Sequence, residues 1–288
     1  MWCGPLDKHA QPVETPMKLA MKTLAAAAAL AVSGLAGAAS GTLNLGESVT
    51  DFNYTVSDLS GSGTLTFSSV LIGALNAGKV QVTAVAPATA NVVYKTNAAT
   101  KVVSISSVSA AAPVTSLSGD YTATSVNITR VTSAGGALQS APTANIATTG
   151  GSLQITNLNV DLINKRVYAD LIGGNNVGTR ANVYLWDISQ ITGPTSFDIS
   201  QLPPGGGVVS STNTVSGLKI NTDAFNLFAQ AMGLTANGIT SLSTVTDFGT
   251  ITSTISARIT PVPEPSTSAL LGLGVLGIGL ATRRRKAA

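Results

Sequence analysis

The sequence predicts a mainly β protein: an antiparallel sandwich or barrel-like body with one short helix at about 222–232, plus an N-terminal signal helix and a C-terminal transmembrane helix. Three observations carry this. Apolar and polar residues alternate with a period of two in several runs, the pattern of antiparallel strands with one wet face. Ser and Thr make up about a quarter of residues 41–260 and are joined by many Val and Ile, a composition suited to a pleated, half-buried surface. Clusters of Gly, Asn and Pro at 61–63, 135–136, 150–151, 173–176 and 203–207 punctuate the runs, as turns require.

In chain order, the strands expected are 64–67 (TLTF), 79–85 (KVQVTAV), 125–131 (SVNITRV), 152–162 (SLQITNLNVDL) and 250–259 (TITSTISARI). Asp161 and Asp170 flank an expected hairpin that turns through Asn164, Lys165 and Arg166. One segment breaks the β pattern. Residues 222–232 (TDAFNLFAQAM) place Ala224, Phe225, Leu227, Phe228, Ala231 and Met232 at helical spacing. Asn221 or Thr222 caps the start and Gly233 ends it, so two phenylalanines pack onto a sheet. The body divides by composition into a Ser/Thr/Ala-rich region, 39–140, and a region with better core residues, 150–260, which holds Trp186, Phe197, Phe225, Phe228 and Phe248. The stretch 140–150 (SAPTANIATTG) reads as a hinge between them.

The formal charge is +3, yet it is concentrated at the ends. Between Gly41 and Thr260 there are nine Lys/Arg and ten Asp/Glu, a net of −1. A near-neutral body without a basic stripe releases few counterions from a phosphate backbone, so nucleic acid is not an expected partner. The 288 residues include one Cys, Cys3, and one His, His9. Beyond Ala10 there is neither thiol nor imidazole, which excludes disulfides, zinc clusters and Ser-His-Asp or Cys-His chemistry from the body. Neither a phosphate-binding Walker loop, an Asp-rich calcium loop nor a Gly-x-Ser-x-Gly elbow is present. No cofactor or metal is expected, and the body is read as non-enzymatic.

The N-terminus has the layout of an export signal. Lys18 and Lys22 form a positive region, residues 24–32 (LAAAAALAV) an apolar run, and Ala36 and Ala38 the small residues of a cleavage site, with cleavage after Ala38. The signal peptide is thus 17–38. Residues 1–16 lack this character and read as an over-extended start, with Met17 or Met21 the sensible initiator.

The C-terminus, 261–288, is the most specific feature. Val262, Pro263, Glu264 and Pro265 come first. The prolines hold this stretch extended and out of helix, accessible to an enzyme's groove. An apolar run follows, built on Ala269, Leu270, Leu271, Leu273, Val275, Leu276, Ile278 and Leu280 and interrupted by glycines. As a helix it spans roughly 20 Å, short for a hydrocarbon core of about 30 Å, which local thinning accommodates. Arg283, Arg284, Arg285 and Lys286 then form a basic stop that stays cytoplasmic.

This three-part end resembles the PEP-CTERM sorting signal of Gram-negative bacteria, in its Pro263-Glu264-Pro265 motif, short Leu/Gly-rich membrane segment and Arg/Lys cluster. The resemblance covers about the last 27 residues. It implies entry through the export translocon, a transient anchor in the inner membrane, and recognition by an exosortase, a membrane-embedded cysteine transpeptidase that cleaves near the motif. The chain is then a substrate, released to the cell surface or the exopolysaccharide matrix in a structural or adhesive role. Residues 151–260 are similar in pattern to the end of the haem-binding domains of bacterial surface haem-uptake proteins. The aromatic opening motif of those domains is absent here, so no haem-binding residue carries over. An extracellular carrier of haem or another small molecule is the alternative reading, and a glycan hydrolase a third.

Overall fold

A computed structural model describes residues 38–51, 54–143 and 147–262. The signal residues up to Gly37, the motif residues Pro263 to Pro265, the apolar run and the basic cluster lie outside the described residues. Of the export and sorting residues, Ala38 and Val262 fall within them.

Fourteen strands carry the body: β1 (Ala39–Asn44), β2 (Val49–Asp51), β3 (Tyr54–Phe67), β4 (Gln81–Val85), β5 (Thr89–Thr96), β6 (Val103–Tyr121), β7 (Ser125–Ser133), β8 (Gly136–Ala141), β9 (Gly151–Asp161), β10 (Arg166–Gly173), β11 (Gly178–Thr192), β12 (Ser196–Asp198), β13 (Gly207–Ile220) and β14 (Gly249–Pro261). Every expected strand is present, and several run longer than the alternation alone indicates. All pairings are antiparallel, and eight of the strands close on themselves in the order β3, β14, β13, β11, β10, β9, β7, β6 and back to β3. The expected sandwich-or-barrel body is therefore a closed antiparallel barrel, the arrangement that leaves the ring without free edges. Its closing pair sets Arg130 of β7 opposite Asp161 of β9 and Thr132 opposite Asn159.

Two local devices make closure work. The chain steps aside between β7 and β8 at Gly135 (φ 76°), so that β9 pairs with β7 at one end and with β8 at the other. A Cβ at Gly135 would stand 2.5 Å from the Ala88 amide nitrogen and 2.6 Å from the Val85 carbonyl oxygen, a place only glycine fits. The long strand β6 exchanges neighbours at Pro113. Before it, β6 pairs with β5 and β3; after it, with β7 and β1. A proline has no N–H to give a ladder, so the exchange of partners falls where one donor is missing.

Residues of 39–140 and 150–260 share this one sheet through β3–β14, β7–β9 and β8–β9. Within 140–150, Thr148 Oγ1 donates to the Met232 carbonyl at 2.7 Å and the Thr149 amide to the Gly233 carbonyl at 2.8 Å.

The expectation of one helix is corrected: among the described residues there are three, α1 (Ser69–Ala77), α2 (Thr222–Ala231) and α3 (Ala236–Ser243). The expected helix is α2, with the Asn221 Oδ1 cap accepting from the Asp223 amide at 2.9 Å and Gly233 just beyond its end at φ 62°. Ala224, Phe228 and Ala231 are its buried face, and Phe225 packs partly buried against the core. Helix α1 continues directly from β3. Its apolar residues form a near-continuous run rather than a 3.6-residue stripe, but Ser68 Oγ caps it by accepting from the Leu71 amide at 3.1 Å. Five of the eight residues of helix α3 (ANGITSLS) are Asn, Gly, Thr or Ser, weak helix formers. Packing of Gly238 and Leu242, not intrinsic propensity, holds it.

The main apolar core gathers Trp186, Phe228 and Phe248, with the Phe228 ring edge-on to Phe248 at 6.2 Å and Trp186 6.1 Å from it. A second, smaller cluster is built from Leu43, Leu59, Val114 and Ile255. Among the described residues no helix is long and apolar enough to cross a membrane.

Candidate functional site

Strand β14 links the two features that bear on function. It is hydrogen-bonded on both sides, by β13 from Gly207 to Val215 and by β3 from Phe67 back to Tyr54. Its last residue, Pro261, lies opposite Tyr54, and the half-buried Val262 follows at once. The described residues thus end, at the residue before Pro263, on a strand held along its whole length.

The same strand is the middle column of an outward hydroxyl array. Period two places Ile251, Ile255 and Ile259 in the interior and Thr250, Thr252, Thr254 and Ser256 outside. Register then aligns the neighbours. Thr192 of β11, Thr214 of β13, Thr252 and Thr64 of β3 form one row. Thr212, Thr254 and Ser62 form the next, and Ser210, Ser256 and Ser60 a third. Adjacent strands lie about 4.8 Å apart, so the hydroxyls repeat at regular spacing on the barrel's outer wall. Across β13 and β14 they meet directly: Thr212 with Thr254 at 3.0 Å, Thr214 with Thr252 at 3.1 Å, and Ser256 with Ser210 at 3.3 Å. Each hydroxyl has one donor and two acceptor sites, so capacity remains on the solvent side. An ion pair, Arg258 with Asp58 at 3.0 Å, stands at one end of the array, exposed on both sides.

A second outward cluster lies on β10 and β11. Tyr168 and Tyr184 approach with ring centroids 5.5 Å apart, and the Arg166 guanidinium sits 4.8 Å over the Tyr184 ring. The Tyr184 hydroxyl donates to Asp187 Oδ1. Burial, and then the bond to the Asp187 carboxylate, push the Tyr184 hydroxyl up from its ordinary pKa. Of the other tyrosines, Tyr54 at the start of β3 and Tyr121 at the end of β6 line one depression together with Asp51, and Tyr94 is exposed on β5.

The expected hairpin between Asp161 and Asp170 is present as β9–β10, with Lys165 in the turn at φ 52°. Its two carboxylates are engaged separately. Asp161 is buried and accepts from the Ile163 and Asn164 amides, from Asn164 Nδ2 and from Arg130. Asp170 accepts from Asn157 Nδ2 at 2.9 Å and the Asn182 amide at 2.8 Å. Among the described residues there is no cluster of three or more His, Cys, Asp or Glu placed to hold a metal.

Residues 261–286 match a family model described as the PEP-CTERM protein-sorting motif. No curated protein and no solved structure matches the chain. The matched stretch contains the Pro263-Glu264-Pro265 motif, the apolar run and the basic cluster as the sequence lays them out. The chain therefore carries the tail of a protein sorted by an exosortase and exported to the cell envelope or surface. The resemblance of 151–260 to haem-uptake domains has no support from these comparisons.

The hydroxyl grid was within reach of the sequence but not recognised in it. Residues 60–66 (SGSGTLT), 210–216 (SSTNTVS) and 250–256 (TITSTIS) each carry Ser or Thr at alternate positions. What sequence withholds is the register that sets the three runs side by side.

Proposed function

We propose that the mature protein is a non-enzymatic component of the cell surface or exopolysaccharide matrix of a Gram-negative bacterium, with a structural or adhesive role. The observation that carries this reading is the grid of Ser and Thr hydroxyls on β3, β13 and β14, on the strand that leads into the sorting segment. A polysaccharide presents repeating hydroxyls and ring oxygens. An uncharged and regularly spaced hydroxyl face meets it with many weak hydrogen bonds, each worth about 0.5–1.5 kcal/mol net and effective together because they are tethered on one surface. The tyrosine pair under Arg166 adds aromatic faces on the neighbouring part of the barrel.

Replacing Thr212, Thr252 and Thr254 by Val keeps β-branched side chains of similar shape in the strands and removes the hydroxyls. Co-sedimentation of the full chain with exopolysaccharide from its own cells is expected to fall at least fivefold in the triple variant, with thermal unfolding little changed. Unaltered co-sedimentation would remove the grid from the function.

A further inference from the structure

We infer that the β5–β6 hairpin is an arm by which one copy of this chain docks, head to tail, on the next. Pairing of β6 with β3 stops at Ser109, so residues 103–108 of β6 and their partners on β5 run on past the end of β3. On one side of this extension the Asn76 side chain of α1 takes the place of a strand. Its Nδ2 donates to the Ile105 carbonyl and its Oδ1 accepts from the Ile105 amide, each at 2.8 Å. On the other side is the outer edge of β5, whose one ladder partner among the described residues is β6. The tip is a built turn. Asn97 Oδ1 accepts from the Ala99 amide at 2.9 Å and the Thr100 amide at 3.1 Å, and the Asn97 amide donates to the Val102 carbonyl at 2.9 Å.

The arm is apolar and positive. Val93, Tyr94, Val102 and Val103 are 43–60% exposed, gathered on one hairpin where a monomer's surface usually scatters such residues singly. Lys95 and Lys101 stand beside them, also exposed. From Leu59 to Gly119 the chain has three lysines and neither Asp nor Glu. An uncovered strand edge with apolar side chains is a template for another chain.

The complement lies at the far end of β6. Tyr121 closes that strand and, with Asp51, Tyr54, Leu43, Val49 and Leu117, lines a depression. It falls where β1 and β2 run without a ladder between them, β1 being paired with β6 and β2 with β3. This end is acidic. Asp51 lies opposite Tyr54, Asp120 precedes Tyr121, and Asp198 precedes Ile199 of the same lining. Burial, and then the Asp51 carboxylate, push the Tyr121 hydroxyl up from its ordinary pKa, as an anionic group beside it requires. Arg258, the cation on the adjoining part of β14, is already paired with Asp58. An apolar, positive tip thus matches an apolar, negative depression, which commits the arm to a second copy. The two surfaces sit at opposite ends of the 19-residue β6, roughly 60 Å apart along an extended strand. A contact between different surfaces does not close on itself as a two-fold dimer does, and repeats into an open row of bodies. The inference is independent of the outer hydroxyl grid, and its failure would leave that reading standing.

Sedimentation velocity of the protein purified from its own cells tests this. The unaltered protein is expected to grow with concentration past the dimer. An arm variant, Lys95→Glu with Lys101→Glu, and an end variant, Asp51→Lys with Asp120→Lys, should each associate at least about tenfold more weakly alone, because like charges then face each other. Mixed, the two should regain association, since the Glu arm meets the Lys end and the Lys arm meets the acidic end. A monomer throughout the micromolar range, an end variant that associates like the unaltered protein, or a mixture no better than its parts would each overturn the proposal. If the end variant does not fold, Asp51→Asn with Asp120→Asn takes its place, and its loss or retention of association alone decides.

Discussion

Asp161 ties the closing strand pair of the barrel through its side chain. It sits in the short β7–β9 pairing that completes the ring, side chain 6% exposed, and forms a 3.0 Å ion pair with the half-exposed Arg130. Burial by itself would raise its pKa. The Asn164 backbone amide, the Asn164 side chain and Arg130 outweigh this and hold the carboxyl below the ordinary aspartate range. A carboxyl with a depressed folded-state pKa contributes stability that is present above its unfolded pKa and lost as pH falls through the folded value. Stability should therefore be level near neutrality and decline below about pH 4. Asp161→Asn should lower unfolding free energy by roughly 1–3 kcal/mol and flatten that acid decline. Urea unfolding of both proteins at neutral pH and in acid checks this. A decline of equal steepness in the variant would assign the acid sensitivity elsewhere. Gly135 makes the companion case. Gly135→Ala forces a Cβ onto the Val85 carbonyl and the Ala88 amide at φ 76°. The left-handed backbone alone costs about 1–2 kcal/mol and the contacts add to it, which thermal unfolding would register as a clear fall in midpoint.

At the scale of elements, legibility followed the physics of each signal. The strands 152–162 and 250–259 are readable because one face of each is largely buried and period two is then enforced, while 125–131 is readable from its alternation around the buried Ile128. Helix α2 was readable from its Asn cap, its Phe spacing and Gly233. Helix α1 was not, because its residues (SVLIGALNA) are apolar nearly throughout and follow a strand without interruption. Helix α3 escaped because tertiary packing, which no local pattern encodes, overrides its poor propensity. Strand β6 was hidden by its central Ala-Ala-Ala-Pro, a stretch with little β character that the four neighbouring strands hold in place. The hydroxyl grid lies between these cases. Its composition was plain, and its register was not. Loss of co-sedimentation on replacing Thr212 of β13 and Thr252 and Thr254 of β14 by Val would show two paired strands acting as one surface.

For the molecule as a whole, the two ends and the body are legible to different depths. Sorting is written in contiguous sequence, where proline stiffness, a short apolar run and clustered cations are each local properties. The outer surface of the body is written in three dimensions. Its outer grid depends on strand order and register. The barrel joins these features to the tail through β14, which is clamped between β3 and β13 up to Pro261.

The most direct test is the intact mass and location of the protein recovered from its own cells, beside a variant with Pro263, Glu264 and Pro265 all replaced by alanine. The expected result is a surface or matrix fraction holding a body truncated at both ends, beginning after Ala38 and ending near 263–265, with the variant retained in the inner membrane at full C-terminal length. A chain that reaches the same fraction intact through Ala288, or an alanine variant processed and delivered like the unaltered protein, would contradict the account.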